Sequence, residues 1–327
     1  MRAIDRIRDT GGVVWDNHLC MPFRSDDTFL PELERCRASG LDVVSLNVGC
    51  GDMSIEKHVR TLAYFRAWIS KNSDSYVVPH TVQDIRDARA AGKLSVVFDI
   101  EGMLAVDDEP ALVQMYYDLG VKWMLIAYNR NNKAGGGCQD DDTGLTDLGR
   151  RIIDEMERVG MVVCLSHTGY RTAREVLDYA TNPVLFSHSN PRALVDHPRN
   201  IPDDLMERCA ATGGVMGING VGKFLGDADA GTDAIIAHLD YAVGRIGVDH
   251  VGLSLDYCFD EQELIDYVKA HPELFPPDQG YVGGFTIAEP EQYPGIADGL
   301  LARGYSDGDV AKVLGLNFLR VAEAVWR

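Results

Sequence analysis

Two short apolar runs that each end in Ser-His constrain the fold of this chain more than any other feature. Residues 162–165 and 184–186 are rich in valine and bounded by turn residues, which is typical of strands buried on both faces. Residues 173–180 between them have helical character, and a proline ends that segment before the second run. The pattern predicts a βαβ unit with His167 at the carboxyl end of the first strand and His188 at the carboxyl end of the second.

Similar apolar runs alternate with helical segments along the chain. Eight principal runs occur, and most of them are followed by polar or glycine-rich residues. Alternation of this kind selects a parallel α/β architecture, and eight units favour a closed barrel over an open sheet. We therefore predict a distorted (β/α)8 TIM barrel that forms a single domain over residues 1–327.

The part of the chain after the eighth run has a different pattern. Residues 257–284 are rich in proline, glycine and aromatic residues, and we predict a long loop over the barrel mouth. Additional C-terminal helices are predicted over 296–303, 307–314 and 317–326, with Ser306 as an N-cap.

Composition excludes several classes of partner. The net charge of −19 and the absence of a basic stripe argue against nucleic acids and anionic membranes, and no run of eighteen apolar residues is present. The seven cysteines are scattered without a C-x-x-C pair, which indicates free thiols in a reducing compartment. Because we also find no apolar leader segment, we expect a cytoplasmic protein whose partner is a small molecule.

Polar side chains at the predicted strand ends are the candidate functional residues. In a barrel these ends share one rim, where active sites lie. Three imidazoles, one thiol and two carboxylates suit zinc or a similar borderline metal, and such a centre supports hydrolysis of an amide. In chain order the residues are His18, Cys20, Glu101, Tyr128, His167, His188 and Asp256.

Some of these residues also have a structural interpretation. Cys20 beside Met21 can be a small core residue, and Asp256 can cap a helix. The charge of Glu101 after an apolar strand is unfavourable unless it is paired, and a metal would pair it. The six other histidines, including His197, fall in helices or loops, and we interpret them as surface or structural residues.

Short motifs at and after the predicted strand ends form an ordered series along nearly the whole chain. In order they are Asp16-Asn17-His18 with Pro22, Glu101-Gly102, Ser166-His167, Ser187-His188-Ser189-Asn190, Arg199-Asn200-Ile201-Pro202-Asp203, Gly213-Gly214-Val215, Val251-Gly252-Leu253 with Asp256, and Gly304-Tyr305-Ser306 before Val313-Leu314-Gly315-Leu316-Asn317-Phe318-Leu319-Arg320. Their joint order resembles the renal or membrane dipeptidase family, metallopeptidases of the amidohydrolase-like barrels.

The resemblance implies a binuclear zinc site. Glu101 would bridge the metals, His18 would help to hold one of them, and His167 and His188 would hold the other. Arg199 would grip the free carboxylate of the substrate, since a guanidinium presents a planar fork that matches a carboxylate. On sequence alone, Arg199 reads as a solvated loop arginine.

Two residues depart from the family pattern, in which the first motif usually reads His-x-Asp and a histidine usually follows the fourth strand. Cys20 stands at the Asp position, and its thiolate can hold the first metal; alternatively, that metal is bound weakly or is missing and a single ion remains. Tyr128 stands at the histidine position and can donate a hydrogen bond to a developing oxyanion, but it cannot carry positive charge. We expect Tyr128 and the adjacent Asn129 to contact the substrate.

We therefore predict zinc-dependent hydrolysis of a dipeptide or dipeptide-like amide with a free carboxylate, by metal-activated water, with Asp256 moving the proton. One alternative is a mononuclear amidohydrolase that acts on a cyclic amide, a lactam or a lactone. Another is a non-catalytic relative that binds a small carboxylated ligand. The zinc content would be two ions per chain, or one in the mononuclear case, and a homodimer is an expected assembly.

Overall fold

Ten strands form one parallel sheet in the computed structural model, which describes residues 2–281 and 284–327. The strands are β1 (Trp15–Cys20), β2 (Val43–Cys50), β3 (Tyr76–Val77), β4 (Leu94–Glu101), β5 (Val121–Leu125), β6 (Val162–Cys164), β7 (Leu185–Phe186), β8 (Val215–Asn219), β9 (Val251–Ser254) and β10 (Tyr257–Cys258). Their order is β10-β1-β2-β4-β5-β6-β7-β8-β9, with the short β3 paired to β4 off this path. The eight predicted runs are all present as strands.

The two ends of this path meet, so the sheet curls into a barrel. Only Leu255 and Asp256 separate β9 from β10, and β10 pairs in parallel with β1. Across the junction the Asp256 N–H donates to the His18 carbonyl at 3.2 Å, and the Leu255 N–H donates to the Asp16 carboxylate at 3.2 Å. The segment from β9 to β10 therefore acts as one interrupted strand that completes the predicted α/β barrel.

Helices surround the barrel and cover the outer face of the sheet. They are α1 (Ala3–Asp9), α2 (Leu33–Ser39), α3 (Ile55–Lys71), α4 (Val82–Ala90), α5 (Leu112–Asp118), α6 (Asp147–Val159), α7 (Tyr170–Tyr179), α8 (Asp203–Ala211), α9 (Gly222–Leu225), α10 (Thr232–Ile246), α11 (Glu261–Ala270), α12 (Tyr293–Ala302), α13 (Asp307–Ala311) and α14 (Asn317–Val325). None of them, over the described ranges, is long and apolar enough to cross a membrane. The predicted N-cap at Ser306 is confirmed, since its hydroxyl accepts the Asp309 N–H at 3.1 Å.

The structure differs from the prediction of a long loop over 257–284. This segment contains β10 and the ten-residue α11, although residues 282 and 283 lie outside the described ranges. The Asp260 carboxylate begins α11 by accepting the Glu263 N–H at 3.1 Å. The prediction was wrong because α11 is short and half-exposed, and the prolines and glycines that follow it dominated the local pattern.

One end of the barrel is closed by α14, which leaves the opposite end for the polar strand ends. The Phe318 ring of α14 packs into this end of the barrel, directly against Gly252. A Cβ at Gly252 would lie 2.4 Å from the ring, so only glycine leaves room for it. Trp15 packs against Phe318 with ring centroids 6.2 Å apart. The carboxyl ends of the strands lie away from this apolar floor, as in other barrels of this type.

Candidate metal centre and substrate cavity

Strand geometry brings the predicted metal-binding residues together at one rim. The first strand extends further than predicted, so His18 and Cys20 both lie on β1, two residues apart and on the same face. Glu101 is the last residue of β4, and His167 and His188 follow the ends of β6 and β7. Four different strands thus deliver these five side chains to one place.

The Glu101 carboxylate lies at the centre of three imidazoles. Its Oε1 atom is 3.1 Å from His188 Nε2, 3.3 Å from His167 Nε2 and 3.6 Å from His18 Nε2. Glu101 is only 4% exposed, and its Oε1 atom accepts no hydrogen bond from the part of the chain that the structure describes. Burial raises the pKa of Glu101 to about 8. A buried oxygen that faces three imidazole nitrogens fits a divalent cation between them.

The three imidazoles are held in one orientation by partners on their other ring nitrogen. These Nδ1 contacts are His18 with Asp99 Oδ1 at 3.2 Å, His167 with Asn129 Oδ1 at 2.7 Å, and His188 with Ser187 Oγ at 2.8 Å. Partners of this kind orient a metal-binding histidine and direct its Nε2 atom to the metal. The Nε2 atoms of His167 and His188 lie 3.0 Å from each other, and both face Glu101 Oε1, so a cation can take the place of the contact between the two rings.

The protonation of the three rings depends on their neighbours. Burial lowers the pKa of His167 and of His188 well below the usual value, so these rings are neutral and can donate a lone pair. Burial opposes the charge of His18 too, but the carboxylates of Asp99 and Glu101 outweigh it and raise its pKa.

Cys20 and Asp256 form a second group with His18. The Cys20 thiol lies 3.4 Å from His18 Nε2 and 3.6 Å from Asp256 Oδ1. Asn219 Nδ2 donates to the other carboxylate oxygen of Asp256 at 2.7 Å. Asp256 therefore faces the centre, whereas the N-cap of the neighbouring α11 is Asp260. Ligand atoms of His18, Cys20 and Asp256 lie close enough together to share one ion, and so do those of His18, Glu101 and His188.

Tyr128 and Asn129 follow β5 on the other side of the centre. The Tyr128 ring stacks on His167 with centroids 4.3 Å apart, and burial raises the pKa of its phenol well above the usual value, so it remains a hydrogen-bond donor. Asn129 Nδ2 donates to the Leu274 carbonyl at 3.0 Å, and its Oδ1 atom faces His167. The Asn129 carboxamide thus orients a histidine at the edge of the cavity.

Arg199 is buried, in contrast to a solvated loop arginine. It is 2% exposed, and its guanidinium lies 5.4 Å from the centre of the Phe224 ring. One nitrogen, Nη2, donates to the His188 carbonyl at 3.3 Å, whereas Nε and Nη1 have no partner among the described residues. A buried cation with two such nitrogens is arranged to receive an anion such as a carboxylate.

His197, which the sequence analysis interpreted as a surface or structural residue, supports Arg199. Its Nδ1 atom accepts the Arg199 backbone N–H at 3.1 Å, so the proton of the neutral ring lies on Nε2, which has no partner. Burial lowers the pKa of His197 to about 4. The only sequence signal for this role is its position two residues before Arg199.

Two cavities meet at the candidate centre. Both are lined by Cys20, Glu101, Tyr128, Cys258 and Leu264. The first continues along residues that include Met21, Pro22, Phe23, Asp260, Glu263 and Tyr267, and the second along residues that include Arg199, His167, Val221, Phe224, Phe275 and Tyr281. A substrate that spans both cavities would place its central bond beside Glu101.

Three residues of the site have a left-handed backbone. Asn129, His167 and Asp256 have φ values of 59°, 61° and 60°. Such values are uncommon outside glycine and concentrate at functional sites, where the surrounding structure maintains them. In each case the residue follows a strand end and turns its side chain towards the centre.

Comparison with known proteins identifies the family. The model of the membrane dipeptidase family (peptidase family M19) matches residues 23–275. The chain is 28% identical over 276 residues to dipeptidase verJ of Clonostachys rogersoniana, covering 83% of this chain and 66% of that protein. It is 32% identical over 234 residues to the uncharacterized dipeptidase C3A11.10c of Schizosaccharomyces pombe, covering 70% of this chain and 52% of that protein. The chain thus spans about half to two thirds of the length of these relatives.

Solved structures share the whole fold. An amidohydrolase from Pseudomonas aeruginosa superposes with a TM-score of 0.89 at 28% identity, covering 100% of this chain and 99% of that one. A metallopeptidase from Rhodobacter sphaeroides, solved with a phosphinate mimic of the dipeptide L-Ala-D-Ala, has the same fold with a TM-score of 0.78 at 20% identity, covering 96% and 99% of the two chains. The chain therefore belongs to the membrane dipeptidase family, peptidase family M19.

Proposed function

We propose that this chain is a metal-dependent hydrolase that cleaves dipeptides or dipeptide-like amides with a free carboxylate. The observation that carries the proposal is the buried Glu101 Oε1 atom, which has no hydrogen bond and lies within 3.6 Å of three histidine Nε2 atoms. Family membership supports the reaction, and the unpaired Arg199 guanidinium supports a carboxylated substrate.

We assign the metal-binding role to His18, Glu101, His167 and His188, with Cys20 as a further ligand. Nitrogen, oxygen and sulfur donors together suit zinc, which would polarise the scissile carbonyl and lower the pKa of a bound water when present. Both candidate groups contain His18, whose Nε2 atom can bind only one ion. We therefore assign one ion to His18 and Cys20 and a second to His167 and His188, with the Glu101 carboxylate within reach of both. A hydrogen bond with Cys258 and burial raise the pKa of the Cys20 thiol. Cys20 would therefore have to release its proton as a cation binds.

The other residues bind the substrate and move protons. Arg199 would bind the free carboxylate through Nε and Nη1, which fixes the direction of the substrate in the cavities. Tyr128 would donate its phenolic hydrogen to the carbonyl oxygen as negative charge develops there. Asp256 would accept one proton from the attacking water on Oδ1 and pass it to the amide nitrogen as the C–N bond breaks, giving a carboxylic acid and an amine, which ionise to a carboxylate and an ammonium group.

The first experiment measures metal content per chain for the wild type and for Cys20→Ala. Two binding sites predict about two zinc ions in the wild type and about one in the variant. Cys36→Ala is the matched control, because Cys36 is a buried thiol in α2 that does not line either cavity, and its metal content should equal that of the wild type. One ion in both the wild type and Cys20→Ala would contradict the role of Cys20.

Activity is then measured on the metal-loaded protein with a broad panel of dipeptides. We expect turnover in the wild type and a large loss in Glu101→Gln, together with a lower metal content. Full metal occupancy without hydrolysis of any dipeptide would overturn the proposed function.

A further inference from the structure

We propose that the substrate residue that bears the free carboxylate has an apolar side chain, selected by an aromatic wall in the second cavity. This inference rests on the proposed function and adds the class of substrate. The wall consists of Val221, Phe224, Leu264, Phe275, Tyr281, Phe285 and Ile287.

The arrangement of the two cavities sets the direction of the substrate. Glu101 and Tyr128 line both cavities, so the scissile bond lies where they join. Arg199 lines the second cavity and is absent from the lining of the first. A carboxylate bound to Arg199 therefore places the carboxyl-side residue, with its side chain, in the second cavity.

The walls of the second cavity offer this side chain an apolar surface. Phe275 packs against Tyr281 with centroids 5.4 Å apart, and Tyr281 packs against Phe285 at 5.7 Å. The polar side chains that line this cavity are those already assigned to the metal centre and the carboxylate, together with Cys258 and the Tyr281 hydroxyl, which accepts a hydrogen bond from Gln139. Since the charged groups of the lining have these other roles, an ionised substrate side chain would lose its hydration against the aromatic wall, whereas an apolar one would gain contacts.

The first cavity differs in charge. Asp260 and Glu263 line it, and both contact the Arg24 guanidinium, at 3.0 and 3.1 Å. Two carboxylates and one guanidinium give this group a net negative charge, which suits the ammonium end of a dipeptide. The charge difference between the cavities thus agrees with the direction that Arg199 sets.

An acidic side chain is the main competing choice. Lys223 Nζ lies 5.1 Å from the centre of the Tyr281 ring, on the ring face, and could attract a second carboxylate. However, Lys223 is not among the described residues that line the cavity. A Cβ on Gly280 would lie 2.4 Å from Lys223 Nζ, so the ammonium packs closely against the Gly280 backbone beside Tyr281.

The test uses dipeptides Ala-X on the metal-loaded protein, with X as Gly or as either enantiomer of Ala, Leu, Phe, Asp or Lys. We expect kcat/KM for the better enantiomer of Leu or Phe to exceed that for Gly by about tenfold to hundredfold, with Asp and Lys at or below Gly. Equal or higher values for Asp, Lys or Gly would overturn this inference and leave the proposed function intact.

A binding measurement separates the two proposals, because it does not require catalysis. By calorimetry, 3-phenylpropanoate should bind the metal-loaded protein at least about tenfold more tightly than propanoate. If no dipeptide is hydrolysed but this ratio is observed, the proposed reaction fails and the apolar subsite stands. A ratio near one would overturn the subsite whether or not dipeptides are hydrolysed.

Val221 and Val268 provide a matched pair of variants, because both belong to the hydrophobic cluster that contains Phe224, Phe275 and Tyr281. Val221 lines the second cavity, whereas Val268 on α11 belongs to the cluster without lining either cavity. Val221→Ala should reduce the preference for 3-phenylpropanoate by about threefold to tenfold, since it removes two methyl groups from the wall. Val268→Ala should leave the preference unchanged. An equal reduction in both variants would contradict the proposed wall.

Discussion

Replacing Arg199 with methionine should stabilise the fold and weaken substrate binding at the same time. The guanidinium is buried with Nε and Nη1 unpaired, and its one hydrogen bond, to the His188 carbonyl, is long at 3.3 Å. Such an arrangement is unfavourable for the free protein and becomes favourable only when an anion arrives. Methionine fills much of the same volume without the charge.

The magnitude follows from these contacts. Each unpaired buried N–H group costs about 1–3 kcal/mol, whereas the hydrogen bond and the contact with the Phe224 ring together contribute about 1–3 kcal/mol. The difference leaves Arg199→Met more stable by about 1–3 kcal/mol. At about 2.1 cal/mol/K of unfolding entropy per residue, this corresponds to an increase in Tm of roughly 1.5–4 °C for a chain of 327 residues.

Calorimetry and kinetics on the same preparations test both halves of this prediction. Losing a buried guanidinium–carboxylate contact typically costs about 2–5 kcal/mol, so kcat/KM for a dipeptide should fall by about 30-fold or more. Arg192→Met is the control, because Arg192 is a partly exposed arginine paired with Asp196, and its Tm should change by less than about 1 °C. A decrease of several degrees in Arg199→Met, or an unchanged kcat/KM, would refute the reasoning.

Three further predictions concern the supports of the site and the barrel. Asn129→Leu should lower metal affinity about 10- to 100-fold in equilibrium dialysis, because His167 loses the partner of its Nδ1, whereas Asn129→Asp keeps that acceptor. Gly137→Ala should also lower metal affinity, since its Cβ would lie 2.2 Å from the Asn129 carbonyl carbon; Gly244→Ala in α10 has open space and should instead raise Tm slightly. Burial lowers the pKa of Lys122 from 10.5 to about 8, so this residue binds more protons in the unfolded chain between these values and its own contribution to stability rises with pH there. In urea unfolding at pH 7.5 and 10, the free energy of unfolding of the wild type should therefore gain on that of Lys122→Met by at most about 3 kcal/mol, whatever the other groups contribute to both proteins.

The sequence predicted the barrel and the histidine-rich rim because both depend on local patterns. A buried parallel strand is recognised as a short apolar run, and in a barrel the residue after it lies at the rim, independently of how the distant segments pack. His167 and His188 could be placed in this way. Asp99 could also have been found, because it lies two residues before Glu101 on β4 and therefore faces the same interior.

Long-range packing was not accessible from the sequence in the same way. Arg199 lies in irregular structure, and its burial depends on Phe224 and Tyr281, which approach it from other parts of the chain. Likewise, the sequence did not show that α11 is a helix within the proline-rich segment. Its apolar residues pack against Phe224, Phe275 and Tyr281, and these contacts come from other parts of the chain and from the loop that follows α11. Nothing in a periodic pattern encodes which distant segments meet.

The left-handed backbone at Asn129, His167 and Asp256 affects how such a site can diverge. A mutation at these positions must satisfy both the chemistry and an unusual φ, so few residue types are acceptable there. The two departures from the family pattern, Cys20 and Tyr128, both lie at positions without a positive φ. New specificities on this barrel should therefore arise first at positions with ordinary backbone geometry, while the strained positions change last.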